Sequence, residues 1–147
     1  SLHDALPIYP EKFIEFSKDF ISKSDLIKLS EEEALLISGK KDLQEAIATF
    51  KLKKNAIVCV TLGKNGTLLY FQEKLEIVPS ISVEAIDTTG AGDAFIGAVL
   101  KQVCDKTPES YNEIKNYVSF ANKVAAISTT KLGAIEALPT LEQILKY

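Results

Sequence analysis

The seven residues from Asp87 to Asp93, D-T-T-G-A-G-D, constrain this chain more than any other stretch. An alternating apolar segment with Val83, Ala85 and Ile86 leads into it. A helical pattern leads out, with Ala94, Phe95, Ala98, Val99 and Val103 recurring at three- and four-residue spacings. The pattern predicts a strand-to-helix turn with glycines at its tip. Gly90 and Gly92 let the backbone come close to a ligand. The unpaired N–H groups of the first helical turn, together with the helix dipole, favour an anion there. A carboxylate on that turn, Asp93, would repel a trapped phosphate. It makes chemical sense as the group that takes a proton from a hydroxyl attacking the phosphate. The same residues serve equally as a plain tight turn with an acidic helix start. Two other glycine loops are excluded. A dinucleotide fingerprint needs a glycine where Phe95 stands, and a Walker A loop needs Gly-Lys-Ser/Thr, which does not occur.

Elsewhere helix and strand patterns alternate, so the expected class is α/β with a mainly parallel sheet. A helix is expected from Pro10 to about Ser22, with Phe13, Phe16, Phe20 and Ile21 on one side. Asp25 to Leu29 reads as a strand. Ser30-Glu31-Glu32-Glu33 reads as a capping box opening a helix that ends at Gly39. Asp42 to about Lys53 is a further helical pattern. Ala56 to Leu62 is β-branched and apolar, as in a strand buried on both faces. Gly63-Lys64-Asn65-Gly66 is a turn, followed by strands from Thr67 to Phe71 and from Leu75 to Val78. A long helix is expected from Tyr111 to about Thr130, and Thr140 opens a short last one.

Composition removes several classes of function. The 147 residues are 46% hydrophobic and 25% charged, with a net charge of −3, which fits one soluble domain and gives no footprint for nucleic acid. The longest apolar run is far short of the ~20 residues of a membrane span, and nothing reads as a signal peptide. A cytoplasmic chain is expected. Its two cysteines, Cys59 and Cys104, read as small buried hydrophobes. His3 is the only histidine, which excludes a histidine metal site and a Ser-His-Asp triad. The chain starts with Ser and has no methionine, so it reads as a fragment, with residues 1–8 foreign to the rest.

The run D-T-T-G-A-G-D-A-F resembles the C-terminal signature of the ribokinase-like (PfkB) sugar kinases, and among them the fructokinases. The resemblance implies a ribokinase-like fold of which residues 9–147 are the C-terminal part. It implies ATP-dependent phosphorylation of a sugar hydroxyl, most nearly that of fructose; 2-keto-3-deoxygluconate and ribose remain open. Gly90, Ala91 and Gly92 would form the anion hole, and Asp93 would be the base. Thr61-Leu62-Gly63-Lys64-Asn65-Gly66, by itself an ordinary hairpin turn, is similar to the family's T-L-G-x-x-G nucleotide loop, which implies Thr61, Gly63 and Gly66 near the nucleotide. Phe120-Ala121-Asn122 matches the family's F-A-N and implies Asn122 beside the adenine. Glu33 aligns with a glutamate that organises water around Mg²⁺, although Ser30 stands where the family has Asn. Some members bind K⁺; the matching positions are Asp87 and Thr89, with carbonyls around Ser128, Lys131 and Gly133. Sugar and ATP are the implied partners, with neither nucleic acid nor membrane, and a homodimer is an assembly open to the full-length protein. Most of the family's sugar pocket lies upstream, so this chain alone is expected to be inactive or to bind nucleotide only.

Overall fold

The computed structural model describes residues 10–147; the expectation for residues 1–8 lies outside them. Two compact units are present. One runs up to Thr61 and takes in Tyr70–Leu75. The other comprises Leu62–Leu69 and Glu76–Tyr147.

The first unit begins with α1 (Pro10–Lys23), β1 (Leu26–Ser30), α2 (Glu31–Ser38), α3 (Leu43–Thr49) and β2 (Ile57–Thr61). Strands β1 and β2 pair in parallel, Leu26 with Ile57 through Ser30 with Thr61. Between parallel neighbours the chain must cross over, and α2 and α3 make that crossover. Val58, Cys59 and Val60 are fully buried, as the uninterrupted apolar run requires. Ser30 caps α2 in the expected capping box. The third helix stops at Thr49, earlier than its pattern suggests. Phe50 adopts an extended conformation (φ −74°, ψ 132°), which turns its ring into the core. On α1 the apolar side is only partly covered: Ile21 is buried, whereas Phe16 and Phe20 are exposed.

The remaining strands are β3 (Thr67–Phe71) and β4 (Lys74–Val78), and the sheet order is β1-β2-β3-β4. Consecutive neighbours joined by so few residues can only run antiparallel. The α/β class is therefore as expected, while the sheet is mixed, with β1 and β2 as its parallel pair.

The second unit is built on α4 (Ala91–Asp105) and α5 (Tyr111–Ser128), followed by α6 (Leu141–Leu145). Thr140 caps α6 with a second capping box. Ala94 of α4 packs with Val124 and Ile127 of α5 and Ile144 of α6, and Phe95 and Val99 are buried beside them. Residues 79–89 form no strand, which corrects the strand expected before the glycine turn. Their backbone finds another partner. Ile86 and Asp87 donate N–H groups to the Thr129 carbonyl, at 2.7 and 3.0 Å, at the end of α5. Cys104 is exposed on α4, contrary to the expectation of burial; Cys59 is buried as expected. Among the described residues no helix is long and apolar enough to cross a membrane.

Candidate active site

The first turn of α4 starts without a side-chain cap. Gly90 is its N-cap at φ 78°, ψ 0°, and has no side chain to satisfy the first donors. The Ala91 N–H bonds the Thr88 carbonyl at 3.2 Å, and the Ala94 N–H closes the first helical bond on the Gly90 carbonyl at 2.9 Å. Helical geometry leaves the Gly92 and Asp93 N–H groups without intrahelical acceptors. The Ala91 N–H is thus engaged internally, and those of Gly92 and Asp93 remain.

The turn is held from behind. One oxygen of Asp87 accepts the Thr89 N–H at 2.9 Å, and the other accepts the Gly133 N–H at 3.0 Å. Hydrogen bonds from the Thr89 side chain and backbone, then from the Gly133 backbone, hold the Asp87 carboxyl below the usual carboxylate range. Gly90 also lies so close to residue 134 that a Cβ on it would stand 2.7 Å from the Ala134 Cβ. The tightly constrained glycine is therefore Gly90. Gly92 lies in the helix, outside the left-handed region.

Asp93 is exposed on the first turn. With Gly90 it lines the end of a cleft of about 470 Å³, whose walls are Gly97 and Ala98 of α4, Phe120 and Val124 of α5, and Leu138 and Pro139 of the tail. Backbone donors, a carboxylate and an apolar slot therefore adjoin. That combination suits an anionic ligand with a flat apolar part, and a proton transfer at the anionic end.

The expected nucleotide loop forms a 3₁₀ turn at Gly63–Asn65, closed by the Leu62 N–H on the Gly66 carbonyl at 2.8 Å. A Cβ on Gly66 would fall 2.1 Å from the Val78 carbonyl oxygen, so close backbone packing alone accounts for that glycine. Gly63 has open space around it. Asn122 is buried, and both its amide oxygen and its amide nitrogen are bonded within the protein. Its oxygen accepts the Thr67 hydroxyl at 2.6 Å, and its nitrogen donates to the Val78 and Pro79 carbonyls at 2.9 and 3.3 Å.

Thr61 and Glu33 belong to the first unit. The Thr61 hydroxyl donates to the Leu29 carbonyl at 3.4 Å. One Glu33 oxygen accepts the Ser30 N–H at 2.7 Å in the capping box, which leaves the other for an outer-sphere role. Among the described residues no three His, Cys, Asp or Glu side chains cluster as a metal site. One carboxylate acting through water fits Mg²⁺, which keeps most of its waters. Around Asp87, Thr89 and Gly133 the structure gathers the residues expected for a monovalent cation, and each carboxylate oxygen retains a lone pair after its N–H bond.

Residue pattern gave no hint of Thr67, Thr129 or Ala134, which hold these loops. Thr67 and Thr129 leave only the trace of small polar residues at the ends of regular elements, and Ala134 leaves none.

Residues 3–141 match the pfkB family carbohydrate kinase profile. The chain is 37% identical over 150 residues to the probable fructokinase-2 of Arabidopsis thaliana, covering 100% of this chain and 46% of that protein. It superposes with a TM-score of 0.84 on the fructokinase of Vibrio cholerae solved with fructose, ADP and calcium, at 32% identity over 95% of this chain and 46% of the other. A TM-score of 0.83 relates it to the aminoimidazole riboside kinase of Salmonella enterica in complex with aminoimidazole riboside and an ATP analogue. There the identity is 28%, over 92% of this chain and 46% of that one. The chain thus spans about half the length of the relatives it matches. The fold of these neighbours is ribokinase-like, as is that of this chain.

Proposed function

Because the chain belongs to the pfkB family of carbohydrate kinases, we propose that it carries the phosphoryl-transfer part of a cytoplasmic ATP-dependent sugar kinase, with fructose as the acceptor. The observation that carries the reading is the start of α4: two free backbone donors beside an exposed carboxylate, on a turn held rigid by Asp87 and Gly133. Asp93 takes the proton of the sugar hydroxyl as its oxygen attacks the γ-phosphorus. The bond from that phosphorus to the ADP oxygen breaks, and ADP leaves with the electron pair. The Gly92 and Asp93 N–H groups face charge on the moving phosphoryl group, where preorganised donors act most strongly. Bound with the nucleotide, Mg²⁺ would neutralise phosphate charge, with Glu33 ordering its water. A K⁺ ion at Asp87, Thr89 and the carbonyls near Gly133 would add positive potential behind the turn.

Fructose is favoured by the fructokinase relatives. The nearly equal match to a riboside kinase supports a riboside or ribose as the second reading, and an inactive nucleotide-binding piece is the third. The test is Asp93→Asn in the full-length protein. ATP binding should persist while turnover falls ~10²–10⁴-fold, the usual cost of losing a general base. Turnover within about threefold of the unmodified protein would remove Asp93 from that role. A panel of fructose, ribose and ribosides then identifies the acceptor.

A further inference from the structure

The Asn122 amide, on α5, joins two segments of the chain. Its oxygen holds the hydroxyl of Thr67, the residue directly after the Gly63–Gly66 loop. Its nitrogen holds the Val78 and Pro79 carbonyls at the exit of β4. Gly66 itself lies flat on that exit, where no Cβ could fit. The loop's trailing end is therefore seated in a slot whose floor is Val78–Pro79 and whose peg is Asn122. Two residues further along α5, Val124 packs against Ala94, the residue directly after Asp93. One rigid helix thus carries both the peg that seats the loop and the side chain that seats the Asp93 turn.

We infer that Asn122 and Thr67 are positioning residues, with α5 acting as a ruler that sets the spacing between the Gly63–Gly66 loop and the first turn of α4. The inference rests on the kinase reading above for what the spacing serves: the nucleotide must reach from the loop to the turn with its phosphate in line. Displacements near 1 Å in such a geometry are costly. Helix α5 suits this task. It is 18 residues long, and Ile114, Val118 and Ala121 on its inner face are completely buried. Asn122 acts on the nucleotide through the loop.

The test uses the 147-residue chain with Thr67→Val, which keeps the branched shape and removes the hydroxyl, and Thr67→Ser, which restores it. Amide hydrogen exchange is followed at Leu62 and Gly66, whose N–H groups close the loop, with Val58 and Val60 of β2 as controls for global opening. Losing one buried hydrogen bond should raise exchange of the two loop amides by about tenfold in Thr67→Val. Thr67→Ser should restore the protection, and any rise at the controls measures the accompanying loss of global stability. Added MgATP should slow loop exchange in the unmodified chain and in Thr67→Ser, and much less in Thr67→Val. Unchanged loop exchange in Thr67→Val would overturn the peg. A loosened loop that ATP protects as well as before would overturn its positioning role. If ATP protects the loop in no variant, the nucleotide reading of the loop fails, while the comparison without ATP still decides the peg.

Discussion

Replacing Gly90 with alanine probes the brace behind the turn at the head of α4. Gly90 sits at φ 78°, where an L-residue is strained, and its new Cβ would meet the Ala134 Cβ at 2.7 Å and the Ala134 Cα at 3.2 Å. Favourable carbon–carbon separations are ~3.5–4.0 Å, so one side must retreat by nearly an ångström. Ala134 cannot simply withdraw, because the adjacent Gly133 N–H is bonded to Asp87. Left-handed strain contributes ~1–3 kcal/mol and overpacking a further ~1–3 kcal/mol. A total of roughly 2–6 kcal/mol corresponds to a fall in Tm of about 6–20 °C for a chain of this size. Thermal melts followed by circular dichroism measure it. Ala134→Gly in the same chain removes the opposing methyl and should recover the overpacking part, leaving the backbone strain. Gly92→Ala is the internal comparison: it lies at a helical position and should melt within a few degrees of the unmodified chain or above it. If Gly90→Ala melts within about 1 °C of the unmodified chain, or if Ala134→Gly restores nothing, the contact does not shape the turn.

The low Asp87 carboxyl gives the chain an acid sensitivity. Its pKa is depressed in the folded state, so it contributes stability above its unfolded value near ~3.9 and loses that contribution as pH falls through the folded value. Melting between pH 5 and pH 2 should fall more steeply for the native chain than for Asp87→Asn; parallel profiles would show that the carboxylate bonds contribute nothing. The two thiols should differ in reactivity. Burial pushes Cys59 up to about 12, whereas Cys104 is exposed, so one equivalent of a thiol reagent should react rapidly in the folded chain and a second only after denaturation; two fast equivalents would refute the burial of Cys59.

Local signals in the sequence found most elements. The capping boxes at Ser30 and Thr140, the uninterrupted apolar run of β2 and the three- and four-residue spacing of α4 each depend on neighbours a few positions apart. What they missed is non-local. Nothing in the spacing around Asn122 shows that its partners are Thr67, Val78 and Pro79. Periodicity put Cys104 on the apolar side of α4, yet it is exposed, because a helical pattern gives the direction of a side chain and not what lies opposite. The entering strand failed for a related reason. Val83, Ala85 and Ile86 alternate as a strand would, but the partner that fixes this backbone is the end of α5. At the candidate site, the residues that touch ligand in the proposed mechanism were legible as a motif; of those that hold them in place, Asp87 and Gly133 were named from the sequence, and Thr129 and Ala134 were not.

The bond from the Gly133 N–H to Asp87 spans 46 positions in the chain, and this separation orders events in time. Helix α4 can begin to coil from its own sequence, but the turn at its head cannot take its final shape until α5 has packed and residues 129–134 have come back against it. Contacts of such long range form late, since the loop between them must close first. In the proposed function this turn is the anion site, and it matures as the last act of folding. A collapsed intermediate with both helices in place would already look native by circular dichroism and yet lack it.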